Sequence, residues 1–238
     1  MNSVNPYATG TVSDYPQETR TEFIRKTYWH LAGALGVFAL LEAMFLSMGL
    51  HVTALRLLGT SQFSWLIVLG GFMIVGWLAS RMAHSATTPG MQYLALGIYT
   101  LAEAVIFLPL IAIAIGVTGS TVILGQAAVL TGAMVLGLTA IAFTTRKDFS
   151  FLGGILKIGG IIALGLIVVS IFTGFDLGLW FSVAMVVFAS GAILYDTSKI
   201  MYHYQPGQHV AASLQLFASV ALLLWYVLRI LIALTGRD

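Results

Sequence analysis

The stretch WFSVAMVVFASGAILYDTSKIMY, residues 180–202, decides the fold. Its first sixteen residues carry no charge, and the next is a carboxylate, Asp196. A helix rising 1.5 Å per residue needs about 20 apolar residues to cross a hydrocarbon core of ~30 Å, and this stretch supplies them. Asp196 then stands about six residues, or roughly 9 Å, from the end of the span. An Asp at the centre of a membrane helix costs about 2.5–3.5 kcal/mol on insertion scales, so such a residue is expected to face a bundle interior and to have a partner. Asp196 is therefore the first candidate functional residue.

Six more blocks of the same kind flank it, and the seven run over residues 28–50, 63–82, 91–115, 122–143, 151–173, 179–202 and 210–234. The expected fold is an all-α membrane protein of seven transmembrane helices, one domain over residues 23–238. The connections are short, and the longest, 51–62, is too small to fold alone. Residues 1–22 are polar with two prolines and read as a disordered tail without the apolar core of a cleaved signal peptide. Composition agrees: of 238 residues 59% are hydrophobic and 8% charged, against about 25% charged in soluble domains.

Lys and Arg flank alternate span ends unequally. Arg20, Arg25, Lys26, Arg81, Arg146, Lys147 and Lys199 gather on one side, Arg56 and Arg237 on the other, which places the N-terminus in the cytoplasm. Seven spans send the C-terminus outward, unless the last block is re-entrant. The net charge of +2 lies at span ends and leaves no nucleic-acid patch. Without cysteine there are no disulfides or thiolate metal sites. No HExxH, GxSxG, Walker or GxGxxG motif occurs, and His30, His51, His84, His203 and His209 are scattered, so the expectation is a non-enzyme without cofactor. Small-residue spacings, Ala32 with Gly36, Ala133 with Gly137, and the glycines of GGILKIGGIIALG at 153–165, point to close helix packing.

Other ionisable residues lie inside apolar blocks. Glu42 is either interfacial or buried. Glu103 sits deeper, six positions before Pro109, whose ring removes a helical hydrogen bond and bends the helix, as at a cavity wall. Lys157 can snorkel to the interface. Arg229 either snorkels outward or pairs with an intramembrane carboxylate. Asp196 either acts from within the bundle or pairs with Lys199 one turn later. His203 and His209 bracket the loop after Asp196 as a pH-sensing or an ordinary interfacial pair.

Five segments add a resemblance: EFIRKTYWHLAGAL at 22–35, TLAEAVIFLPL at 100–110, TTRKDFSFLGGILKIGG at 144–160, SGAILYDTSKI at 190–200 and LLWYVLRILIALTGRD at 223–238. In order along the chain, they resemble the Bax-inhibitor-1 family, and most closely its bacterial YccA-like branch. The resemblance implies a bundle whose last helix is central and encircled by six others, in a bacterial inner membrane. It implies one of two activities. Some members are described as pH-sensitive calcium leaks, with a sixth-helix carboxylate sharing a proton with one on the seventh; Ca2+ is the ion under that alternative. The YccA-like branch is described as a substrate and modulator of FtsH, the membrane-anchored ATP-dependent protease.

Asp196 falls on the sixth-helix carboxylate of that family. Alignment on LRIL puts Ser219 where the seventh-helix carboxylate belongs, and a serine can donate to Asp196 but cannot hold a second charge. Glu103 matches a third-helix glutamate. The reading is a protein that binds and modulates FtsH, with Asp196 hydrogen-bonded to Ser219 or ion-paired with Arg229. The polar tail, beginning Met1, Asn2, Ser3, is the segment the protease would grip.

Overall fold

The computed structural model describes residues 10–61, 63–85 and 88–236. After a 3-10 turn at Val12–Asp14 come eight helices: α1 (Gln17–Ser47), α2 (Leu50–Leu58), α3 (Ser64–Ser85), α4 (Pro89–Thr118), α5 (Val122–Thr145), α6 (Leu152–Thr173), α7 (Gly178–Tyr202) and α8 (His209–Thr235). All but α2 are long and apolar enough to cross a membrane, and no strand occurs among the described residues. The all-helical architecture of seven spans is thus the one built.

Two segments depart from expectation. The first helix begins at Gln17, well before the apolar block. Pro16 fixes the backbone where the helix starts, the next residues include good helix formers, and Lys26 Nζ pairs with Glu22 Oε1 at 2.8 Å one turn apart. Residues 10–16 are also ordered: the Thr11 amide donates to Asp14 Oδ2 at 2.8 Å, and Val12 is wholly buried. Residues 10–22 of the segment expected to be disordered are therefore folded, and residues 1–9 lie outside the described residues. The connection at 51–62 likewise forms α2, which opens after Gly49 in the left-handed region (φ 71°), buries Leu58 and packs on α4 and α1.

In the core α8 touches α1, α3, α4, α5 and α7, while α6 is peripheral, approaching α7 and α3 and burying Ala163. The last helix is central, but five helices approach it rather than six, because glycine-rich α6 packs on α7 instead. α4 contributes as many buried residues as α8 and continues as one helix through Pro109. Phe38 of α1 meets Phe107 of α4 at 5.1 Å and Phe217 of α8 at 6.1 Å, and Phe107 meets Trp225 at 5.1 Å, all edge-on. Edge-to-face rings add about 0.5–1.5 kcal/mol each beyond area burial. α8 is unbroken, so the chain leaves the bundle at the end opposite the start of α1. The end carrying Arg20, Arg25, Lys26, Arg146 and Lys147 is called the basic end below.

The small-residue expectation holds on one helix. A Cβ at Gly153 would lie 2.9 Å from the Tyr195 ring, and one at Gly159 would lie 3.1 Å from the Phe188 ring, so these glycines let α6 close on α7. Gly36 and Gly137 have nothing near and are exposed, so those pairs face lipid instead of a helix. Gly159→Leu is expected to lower stability by about 1–3 kcal/mol through overpacking against Phe188. Gly165→Ala, where the space is open, is expected to leave the melting temperature unchanged. Thermal unfolding of both variants in one detergent tests the contrast, and equal melting temperatures would refute it.

Candidate functional site at the basic end of α7 and α8

Asp196 is carried on α7 in a continuous buried run, Asp196, Thr197 and Ser198, each at most 2% exposed. Ser219 of α8 is also buried, and its Oγ donates to Asp196 Oδ2 at 2.5 Å. The first of the two expected partners is therefore the one in place. A buried carboxylate needs such a donor, because leaving a buried polar group unpaired costs about 1–3 kcal/mol and more when it is charged. Around the pair, Tyr28 of α1 brings its hydroxyl within 3.4 Å of Thr197 Oγ1.

The other expected partners are elsewhere. Lys199 makes no ion pair with Asp196; its ammonium lies over the rings of Tyr195 at 5.4 Å and Tyr204 at 5.2 Å. Arg229 does not pair with Asp196 either, because it follows Ser219 by ten residues of helix, about 15 Å along α8; it is half-buried near Tyr226. Glu103, 5% exposed, has Tyr99 one turn earlier on α4 as its neighbour and is not brought to Asp196. Glu42 is buried, on the core stripe of α1 one turn past Phe38, and its carboxylate oxygens have no hydrogen-bond partner among the described residues. Lys157 is exposed on α6. Met1, Asn2 and Ser3 lie outside the described residues. Among the described residues no three His, Asp or Glu side chains converge on a metal position.

Beneath Asp196 the bundle is closed. Tyr204, 4% exposed, packs between Phe23 at 6.3 Å and His84 at 5.9 Å, and burial pushes its phenol above the ordinary range. The Val12 amide donates to the Tyr204 carbonyl at 2.7 Å, and Ser13 Oγ to the Tyr202 carbonyl at 3.2 Å. On the other side the α5–α6 loop grips α7. Ser198 Oγ donates to Asp148 Oδ1 at 3.0 Å and accepts from the Phe149 amide at 2.9 Å, His203 Nε2 lies 3.2 Å from Asp148 Oδ2, and the Tyr202 hydroxyl donates to the Arg146 carbonyl at 2.9 Å. His203 and His209 do not pair with each other: the His209 ring lies 4.9 Å from that of His30, tilted by 59°, and His30 meets the Tyr93 hydroxyl at 2.9 Å.

Asp148, Ser198 and Tyr204 escaped the sequence reading, although Asp148 and Ser198 stand inside the quoted TRKDFS and YDTS segments. Their available signal was Asp148 two residues before Ser150, an arrangement in which a side chain caps its own backbone. The Ser150 amide donates to Asp148 Oδ1 at 2.9 Å and, with Ser198 and His203, holds the carboxyl below the usual range.

Two outcomes follow. Ser219→Ala removes the donor and leaves Asp196 buried, so a loss of about 1–3 kcal/mol in thermal unfolding is expected, against little change for Ser219→Thr. An alanine variant as stable as wild type would remove the hydrogen bond from the account. For Asp148 the folded pKa is depressed, so its contribution is present above the ordinary value near 4 and is lost as pH falls through the lowered one. The chain lacks cysteine, so a spin label at Lys147→Cys reports on this loop alone. Its mobility is expected to stay constant from pH 8 to 5 and to rise only below about 4, whereas Asp148→Asn is mobile throughout; a step between pH 6 and 7 would assign the grip to His203 instead.

Residues 20–236 match the family described as inhibitor of apoptosis-promoting Bax1. An uncharacterised protein of Neisseria meningitidis serogroup A is 29% identical over 142 residues, covering 59% of this chain and 62% of that protein, so the match spans less than two thirds of that relative. The Escherichia coli K12 protein named modulator of FtsH protease YccA is 38% identical over 97 residues, 37% of this chain and 44% of its own. Bax inhibitor 1 of Schizosaccharomyces pombe is 26% identical over 233 residues, 97% of this chain and 83% of its own. With a family match running over nearly all of a seven-span helical bundle, this chain belongs to the Bax inhibitor-1 family of membrane proteins.

Proposed function

We propose that the chain is a bacterial inner-membrane protein, with its basic end in the cytoplasm, that binds and modulates the membrane-anchored protease FtsH rather than catalysing a reaction. The excess of Lys and Arg where α1 begins supports that orientation. The name of the E. coli relative supports the partner over the 97 matched residues. The observation that carries the reading is the way Asp196 is satisfied. One serine hydroxyl completes it, in the position where leak-type members have a second carboxylate, and the bundle below is closed by Tyr204 and Val12. Like-charge coupling between two carboxylates, which would split their titration, has no basis here. A bundle fastened at the foot of α7 resists extraction, and the polar N-terminal segment beginning Met1, Asn2, Ser3 is the proposed grip for the protease.

The alternative is a pH-sensitive cation leak gated by protonation of Asp196, and the depth of that residue favours it. Tagged full-length protein is expected to co-purify with FtsH and to slow degradation of a second membrane substrate several-fold. Deletion of residues 2–9 is expected to preserve co-purification while abolishing the slowing. In sealed liposomes with a calcium dye, wild type is expected to give no flux between pH 5 and 8, and Ser219→Asp to introduce it. Flux from wild type that vanishes in Asp196→Asn, without co-purification, would establish the leak instead.

A further inference from the structure

At the basic end a cavity of about 380 Å³ opens between the first turns of α1, the end of α5 and the end of α7. Gln17, Arg20 and Thr21 line it from α1, and Arg146 from the α5–α6 loop. One turn further into the helices, Ile24 and Phe143 make its floor apolar. The two arginines line the cavity from separate elements, and neither makes an ion pair among the described residues. Neighbouring carboxylates are engaged elsewhere: Asp14 by Thr11, Glu22 by Lys26, and Asp148 by Ser198 and His203. Glu18 is exposed and pairs with neither arginine.

Arg146 is also the one non-glycine residue in the left-handed region among those described, with φ 51°. It stands at the helix end where α4 uses Gly119 and α6 uses Gly174. Tyr202, which also lines the cavity, holds the Arg146 carbonyl in place. The backbone that presents this guanidinium is therefore fastened to α7, four residues from the buried run that begins at Asp196 and ends at Ser198.

We propose that this cavity seats the phosphate of an anionic phospholipid from the leaflet at the basic end, with Arg20 and Arg146 on the phosphate. The glycerol and first methylenes lie over Ile24 and Phe143. Two observations select a lipid over a soluble anion. The cavity runs from a charged rim to an apolar floor, and its rim lies on the part of α1 that precedes the apolar block. Basic pockets between helices at this level suit anionic headgroups, each Lys or Arg adding about fivefold in binding. An occupied site bridges α1 to the α5–α6 loop, and through Tyr202 to the foot of α7.

The test uses delipidated full-length protein in detergent, followed by native mass spectrometry and thermal unfolding. The probes are dioleoylphosphatidylglycerol, dioleoylphosphatidylcholine and inorganic phosphate. Phosphatidylglycerol is expected to bind about 25-fold more tightly than phosphatidylcholine, with about fivefold lost in Arg20→Gln or Arg146→Gly and parity in the double variant. Arg25→Gln, outside the cavity, is expected to keep the full preference. Equal binding of the two lipids in wild type, or a preference that survives in the double variant, would overturn the proposal. Inorganic phosphate alone reproducing the whole stabilisation would overturn it too, by assigning the site to a soluble anion. Should the double variant fail to fold, Arg146→Gly decides, because glycine suits that left-handed backbone while the guanidinium is removed.

Discussion

A carboxylate stays inside this bundle because a serine on the adjoining helix donates to it. Lipid chains are as apolar as leucine, so nothing hydrophobic drives one membrane helix onto another. Packing and interhelical hydrogen bonds supply the attraction, and the Asp196–Ser219 bond is the buried polar link between α7 and α8. It fixes their register: a slide of one helical turn, about 5.4 Å, would break the Ser219 donation to Asp196. The closure beneath Asp196 depends on that register, since Tyr204 follows directly from α7 and carries the contacts to Phe23, His84 and Val12.

The polar groups at the basic end behave as one fastening. From one side Val12 and Ser13 reach Tyr204 and Tyr202; from the other the α5–α6 loop reaches Ser198, Tyr202 and His203. Ser13, Ser198 and Tyr202 each bond a backbone carbonyl or amide near a helix end, where such groups otherwise lack partners. Toward the opposite end the bundle relies on rings, with Phe38, Phe107 and Trp225 joining α1, α4 and α8. Glu42 stands apart from this economy, buried without a partner among the described residues.

Membership of the Bax inhibitor-1 family unites proteins whose names include a protease modulator and a Bax inhibitor. In this chain the residue that faces Asp196 from α8 is Ser219, a hydroxyl. Two facing carboxylates hold and release a proton between them, whereas a carboxylate and a hydroxyl make a static bond.

Span number, the helical class and the isolation of Asp196 were legible in the sequence, because apolar length and the cost of a charge in lipid are properties of the chain alone. Ser219 as one of two candidate partners was legible through the family frame. The sequence could not choose between Arg229 and Ser219, or between Lys199 paired with Asp196 and Lys199 lying over Tyr195 and Tyr204, because those choices turn on axial offset and on the direction a side chain leaves its helix. It gave no sign that Val12 seals the bundle, nor that Asp148 binds Ser198 fifty residues away, since contacts across sequence exist only once the helices have docked. Local composition determines which segments enter the membrane; only the packed bundle decides which polar groups meet, because each can be satisfied by whichever neighbour the docking brings within reach.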